Sequence, residues 1–148
     1  MQVTTFSTTF FVPDVAASSA FYIQHFGFEV AFGNDWFVSL RHASQKDVAV
    51  GGFDLCFMLR GHPKAPSPYV DQSPAGTLLG WIVDDATAVY DAMRAAGVAM
   101  VTPLTDEAYG QRHFFCHDVD GVLIDVIERI PIDPAWLAAE RARGTTGV

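Results

Sequence analysis

The chain passes twice through the same order of structural signals, and this repetition constrains its fold more than any other feature. In each half an aspartate that can cap a helix is followed, at one and the same spacing, by a glycine suited to end it. The pairs are Asp14 with Gly27 and, 70 residues further along, Asp84 of the predicted Asp84-Asp85 cap with Gly97. Self-similarity of this kind predicts a duplicated structural unit.

Each half is predicted to form one strand, one helix and three further strands. The predicted strands are 3–12, 28–32, 36–42 and 53–59 in the first half and 77–83, 98–102, 113–117 and 122–128 in the second, with helices at Val15–Phe26 and 86–96. The last strands also match, because Asp54 and Asp125 each lie between two apolar residues. Neither half can bury both faces of its own strands, so we expect the two to pack together.

The segment 61–76 contains four prolines and few large apolar residues, which is typical of a surface connection. The domain organisation expected for residues 1–148 is therefore a single domain. Module 1 occupies about 3–60, the connection 61–76 and module 2 about 77–129. A terminal helix is predicted over about 134–143, with Asp133 as its cap and Pro134 at its first position.

The net charge of −8 argues against nucleic acid as a partner, because phosphate binding requires a basic surface. It favours a cationic ligand. The sequence has neither a signal-peptide pattern nor a run of about 20 apolar residues, so we expect no membrane association and a cytoplasmic location. Cys56 and Cys116 lie in apolar strand-like segments and are expected to be buried thiols.

Several short motifs make the chain resemble the vicinal oxygen chelate superfamily, which includes glyoxalase I, extradiol dioxygenases, fosfomycin-resistance enzymes and bleomycin-resistance proteins. The motifs are Val12-Pro13-Asp14, Phe21-Tyr22, Gly27-Phe28, YGQR at 109–112 and DVDG at 118–121. The resemblance covers residues 3 to about 129. It implies an α+β fold of two βαβββ modules forming a curved mixed sheet around a cavity, and assembly as a homodimer.

The resemblance also implies where a metal would bind, on the first and last strands of each module. Those positions fall on Ser7, on Leu78 (or Thr77 if the register slips), and on Asp54 and Asp125. The two carboxylates are suitable ligands, but the imidazoles that transition metals prefer are missing. We therefore expect no transition metal and no cofactor.

Other histidines do not obviously replace the missing ligands. His113 and His117 would lie on one face of a strand but about 13 Å apart, too far to hold one metal. His25, His42 and His62 are expected at the surface or in local hydrogen bonds. The loop 106–112 could contribute to a site. We favour a structural turn there, with Gly110 permitting a tight backbone and Arg112 holding nearby carboxylates or carbonyls.

Alternation along the strands predicts which side chains share a face with the two aspartates. The predicted ligand-binding residues are Ser7, Thr9, Phe11, Asp54, Cys56, Met58, Leu78, Asp125 and Ile127. They describe an apolar pocket with a few polar groups, as is usual for small-molecule sites. Asp54 and Asp125 either line that pocket or pair with Arg41, Arg60 or Arg112, since buried charges need partners.

Two functions remain open from the sequence. The first is a metal-free protein that binds and sequesters a small cationic or aromatic compound, as bleomycin-resistance proteins do. The second is a metal-dependent lyase or dioxygenase of the same superfamily with an atypical ligand set. The absent imidazoles, the apolar pocket and the negative charge favour the first, whereas the retained acidic pair favours the second.

Overall fold

The computed structural model describes residues 5–45, 52–66, 71–74 and 76–144. The first two residues of the predicted strand 3–12 lie outside these ranges, as do residues 67–70 and 75 of the predicted connection. The elements are β1 (Thr5–Val12), α1 (Val15–Phe26), β2 (Phe28–Gly33), β3 (Phe37–His42), a short 3-10 helix (Ala43–Gln45), β4 (Gly52–Leu59), β5 (Leu78–Val83), α2 (Ala86–Ala95), β6 (Thr105–Glu107), β7 (Gln111–His117), β8 (Leu123–Arg129) and α3 (Pro134–Ala142).

The described residues divide into two compact units. Unit 1 contains those up to 74 together with the turn Val119–Gly121, and unit 2 contains the rest from Gly76 onward. None of the helices in the described ranges has the length and apolarity needed to cross a membrane.

Unit 1 is a four-stranded sheet with one face covered by α1. The strand order is β1-β4-β3-β2, with β1 parallel to β4 and the other pairs antiparallel. The helix begins where predicted because the Asp14 carboxylate accepts hydrogen bonds from two backbone amides, and it ends at Gly27 in the left-handed conformation. Its fully buried Tyr22 packs against Phe57 of β4, with ring centroids 5.4 Å apart.

Unit 2 repeats this topology as β5-β8-β7-β6, with β5 parallel to β8. Helix α2 packs on β7 and β8, where Phe114, Ile124 and Val126 are fully buried. Glu128 of β8 accepts a hydrogen bond from the Ala86 amide at 3.0 Å, which ties the last strand to the start of the helix. The predicted fold of two βαβββ modules is confirmed. Its strands form two four-stranded mixed sheets, and neither sheet closes into a barrel.

One predicted strand is wrong. The segment 98–102 forms only an isolated bridge between Met100 and Cys116, and the strand β6 lies further on, in the predicted loop. In a regular ladder the Phe115 amide would donate to a backbone carbonyl. Here it donates to the side-chain hydroxyl of Thr102, at 2.9 Å. The next residue, Pro103, has no amide to donate, so regular pairing with β7 resumes only at Thr105.

Candidate functional site

The predicted ligand-binding residues of unit 1 all lie on the sheet face opposite α1. Pairing of β1 with β4 places Ser7 beside Asp54, and the same register brings two further predicted pairs together, Thr9 with Cys56 and Phe11 with Met58. Cys56 is buried, Phe11 and Met58 are half-buried, and Ser7 and Thr9 are exposed. Strand alternation thus assigned the face correctly.

Asp54 is engaged by an arginine, which was one of the two alternatives for it. Arg41 on β3 donates two hydrogen bonds to the carboxylate, at 2.7 and 2.9 Å. The hydrogen bonds to Asp54 raise the pKa of the Arg41 guanidinium, and the attraction between the two opposite charges raises it further. Because its charge is compensated in this way, Asp54 is poorly placed to attract a cation.

A cavity of about 570 Å³ in unit 1 lies elsewhere, between the start of α1 and the β2–β3 hairpin. Its lining includes Asp14, Val30 and Asn34 but none of the predicted ligand-binding residues. The Asp14 carboxylate already caps α1, and the Asn34 side chain accepts from the amides of its own turn. Two of its polar side chains are thus engaged in local backbone hydrogen bonds, and the cavity lies apart from every predicted ligand-binding residue.

In unit 2 the predicted residues lie on the face opposite α2, but their register differs from that of unit 1. Ser7 is the first-strand partner of Asp54, whereas the first-strand partner of Asp125 is Gly80. Leu78, the expected counterpart, lies two residues away beside Leu123 and is 54% exposed. The two modules therefore differ by two residues in strand register, which sequence spacing does not reveal.

Asp125 is buried and pairs with a histidine, not with one of the three arginines considered. His113 on β7 and Asp125 on β8 lie diagonally across neighbouring strands, and His113 Nδ1 is 2.9 Å from Asp125 Oδ1. Their side chains are only 11% and 12% exposed. Arg112 instead holds Asp106 with two hydrogen bonds and lowers the pKa of that carboxyl. His113 was not among the predicted site residues.

The second ring nitrogen of His113 faces other polar groups. Nε2 is 3.9 Å from Glu107 Oε1 and 3.5 Å from the Tyr109 hydroxyl. Burial raises the pKa of the Tyr109 hydroxyl, and the negative charges of Glu107 and Asp125 raise it further, so the phenol stays protonated at neutral pH. The ring of Phe115 packs edge-on against the imidazole at 5.2 Å. One imidazole thus lies among two carboxylates, a phenol and an aromatic ring.

The turn at 108–110 places Tyr109 in this cluster. Gly110 has φ 92°, and a Cβ there would lie 2.6 Å from a side-chain carbon of Ile132, so only glycine fits. The Gly110 carbonyl accepts from the Ile130 amide, which fixes the turn against the segment before α3. Tyr109 then lies 6.1 Å from the Trp136 ring. The structural interpretation of Gly110 and Arg112 is confirmed, and the same turn supplies a polar residue to the site.

The sequence did contain a signal for His113. The Asp120-Gly121 pair in the segment 118–121 favours a hairpin turn between the strands on either side, and the hairpin register places Phe115 opposite Asp125. A side chain two residues from Phe115 then shares its face and lies diagonal to the aspartate. From the sequence, His113 was considered only as a metal ligand. Its position relative to Asp125 on the neighbouring strand was the informative signal.

A comparison with protein-family models matches residues 5–126 to the Glyoxalase/Bleomycin resistance protein/Dioxygenase superfamily. The chain belongs to this superfamily. No curated protein sequence matches it.

Several solved structures share the fold. TioX from Micromonospora sp. ML1 is 19% identical, with 84% of this chain and 98% of that one covered and a TM-score of 0.65. A superfamily member from Sphaerobacter thermophilus is 26% identical, covering 84% and 96% with a TM-score of 0.63. A lactoylglutathione lyase from Agrobacterium tumefaciens is 17% identical, covering 83% and 91% with a TM-score of 0.63.

The residues at the positions that the superfamily resemblance implies for a metal do not suit one. Leu78 supplies no donor atom, Ser7 and the alternative Thr77 supply only a hydroxyl, and Gly80, the observed first-strand partner of Asp125, supplies no side chain at all. Arg41 occupies both oxygens of Asp54, and His113 occupies one oxygen of Asp125. Within the described ranges no three His, Cys, Asp or Glu side chains are grouped so that they could hold a metal ion.

Proposed function

We propose that this superfamily member binds a small aromatic cation on the helix-free face of unit 2 without using a transition metal. The observation that supports it is the group around His113. Two carboxylates, Glu107 and Asp125, lie beside this imidazole together with the rings of Tyr109 and Phe115. Negative charge next to aromatic faces is the chemistry that recognises organic cations.

The charge balance of this group supports a cation. Arg112 is the chain neighbour of His113, but its side chain lies on the opposite face of the sheet and donates two hydrogen bonds to Asp106. A neutral His113 that donates from Nδ1 leaves the charge of Asp125 in place, and Glu107 adds a second negative charge. A cationic ligand would therefore meet two carboxylates in a partly apolar setting, where charge pairs are stronger than in water.

The open space over Asp125 suits a flat ligand. Its first-strand partner is Gly80, which has no side chain, and a Cβ added there would meet only Ile127, at 3.9 Å. Ile127 is itself half-buried and was predicted to contact the ligand. Substitution of Gly80 by Phe should fill this space and block binding, whereas Gly80→Ala should fold and bind normally.

Calorimetric titration with proflavine, a planar aromatic cation, tests the proposal, with the aromatic anion 2-naphthoate as a charge control. Asp125→Asn and Glu107→Gln should each weaken proflavine binding by about tenfold or more, which corresponds to about 1.4 kcal/mol or more. Asp91→Asn on α2 is the matched control, because it changes the net charge equally but lies on the helix side of unit 2.

Equal proflavine affinity in Asp125→Asn and Asp91→Asn, or equal binding of 2-naphthoate by the wild type, would contradict the proposal. The alternative function, a metal-dependent lyase or dioxygenase, would then be favoured if the protein also retained a stoichiometric transition metal.

A further inference from the structure

The geometry points to His113 as a general base, and we infer that unit 2 removes a proton from a small carbon acid without a metal. The inference rests on the proposed function only in that a small molecule must reach the same face. It goes further, because it assigns a reaction and not only binding.

Asp125 fixes the role of each ring nitrogen. Its carboxylate accepts the hydrogen bond from Nδ1 at 2.9 Å, so a neutral imidazole carries its proton on Nδ1 and its lone pair on Nε2. Both side chains are nearly buried on the same face of the sheet, and the hydrogen bond to Asp125 holds the ring in one orientation. A carboxylate that orients an imidazole in this way also stabilises the imidazolium formed after proton transfer.

The side chains of Tyr109 and Glu107, which surround Nε2, can stabilise the charges that develop during proton transfer. The Tyr109 hydroxyl lies 3.5 Å from Nε2, a long contact that a substrate could replace, and as a phenol it carries a proton that it can donate in a hydrogen bond. It can donate to an oxygen that gains negative charge as the proton leaves. Glu107 Oε1, 3.9 Å from Nε2, supports the positive charge that develops on the imidazole.

Proton transfer from the substrate to His113 needs no co-reactant. A C–H bond of the substrate breaks, its proton forms the Nε2–H bond, and the electron pair of the C–H bond moves toward an oxygen near Tyr109. His113 then returns the proton to the substrate or to water. The substrate class is a small carbon acid whose negative charge comes to reside on oxygen.

The test uses 5-nitrobenzisoxazole, a carbon acid that opens on proton removal from carbon with cleavage of its N–O bond, giving a coloured phenolate and a nitrile. We expect the wild type to accelerate this opening. His113→Asn keeps a donor toward Asp125 but removes the base, and should lower the rate about a hundredfold, the low end for a general base. His62→Asn in unit 1 is the matched control and should keep the wild-type rate.

Two further measurements separate a base from a structural residue. Imidazole added to His113→Gly should restore part of the rate, which a purely structural role would not allow. Asp125→Asn should lower the rate and change its pH profile, and Asp125→Glu should recover part of it, as expected of a positioning residue.

A wild-type rate equal to that of His113→Asn, or absence of rescue by imidazole, would overturn the inference. The outcome is distinguishable from failure of the proposed function. Lost acceleration with intact proflavine binding would overturn the base alone, whereas His113-dependent acceleration without proflavine binding would support the base and contradict the aromatic-cation ligand.

Discussion

Removing either member of the His113–Asp125 pair should cost unit 2 more stability than removing either member of the Arg41–Asp54 pair costs unit 1. The perturbation is a double-mutant cycle at each pair with alanine substitutions. His113 and Asp125 are 11% and 12% exposed, whereas Arg41 is 36% exposed, so solvent screens only the second pair appreciably.

The expected magnitude follows from the 2.9 Å hydrogen bond between a ring N–H and a carboxylate. A hydrogen bond to a charged group contributes about 1.5–3 kcal/mol, and the buried partner left behind loses its hydrogen bond. Asp125→Ala should therefore lower the free energy of unfolding by about 2–3 kcal/mol. Since His113→Ala removes the same bond, the double variant should show a coupling of about 1.5–2 kcal/mol.

Urea denaturation followed by circular dichroism at pH 7 measures these differences. The Arg41–Asp54 cycle in the same assay supplies the comparison and should give the smaller coupling. Additive effects of His113→Ala and Asp125→Ala, or a larger coupling at Arg41–Asp54, would refute the argument that burial makes the first pair the stronger one.

Three further outcomes are expected. Phe114→Ala should lower the free energy of unfolding by about 3–5 kcal/mol because this ring is fully buried, whereas Phe32→Ala, at an exposed ring, should change it little in the same urea titration. Gly110→Ala should destabilise more than Gly97→Ala, since both have positive φ but only Gly110 would bring its Cβ against a neighbour; equal melting temperatures would contradict this. Burial raises the pKa of the Cys116 thiol to about 12, so the native protein should not react with a thiol reagent there at pH 8 while the urea-unfolded chain should. Because this pKa is raised, the unfolded state loses the proton first, and stability should fall as pH rises above the ordinary thiol range.

The sequence predicted the helices well because their ends depend on local chemistry. Asp14 and Asp133 satisfy amides within their own first turn, so cap and helix lie in one short segment. The prediction of a strand at 98–102 was wrong because strand pairing depends on the partner strand. Pro103 has no amide to donate, so regular pairing with β7 begins only at β6.

The candidate site was predicted in part for the same reason. Alternation along one strand is local, so the faces of Asp54 and Asp125 were correctly grouped with their neighbours. Cross-strand partners are not local: the two-residue difference in register between the modules placed Gly80 opposite Asp125 and left Leu78 beside it. Tyr109 joined His113 through a turn fixed by contacts with the segment before α3, a long-range relation that its own motif does not contain.

Metal analysis of the purified protein by mass spectrometry tests most directly the claim that the face around His113 and Asp125 works without a transition metal. We expect far less than one Zn, Fe, Mn or Ni per chain, with the same content in wild type, Asp54→Ala and Asp125→Ala. One transition metal per chain in the wild type, lost in Asp54→Ala or Asp125→Ala, would rule out metal-free binding and favour a metal-dependent enzyme.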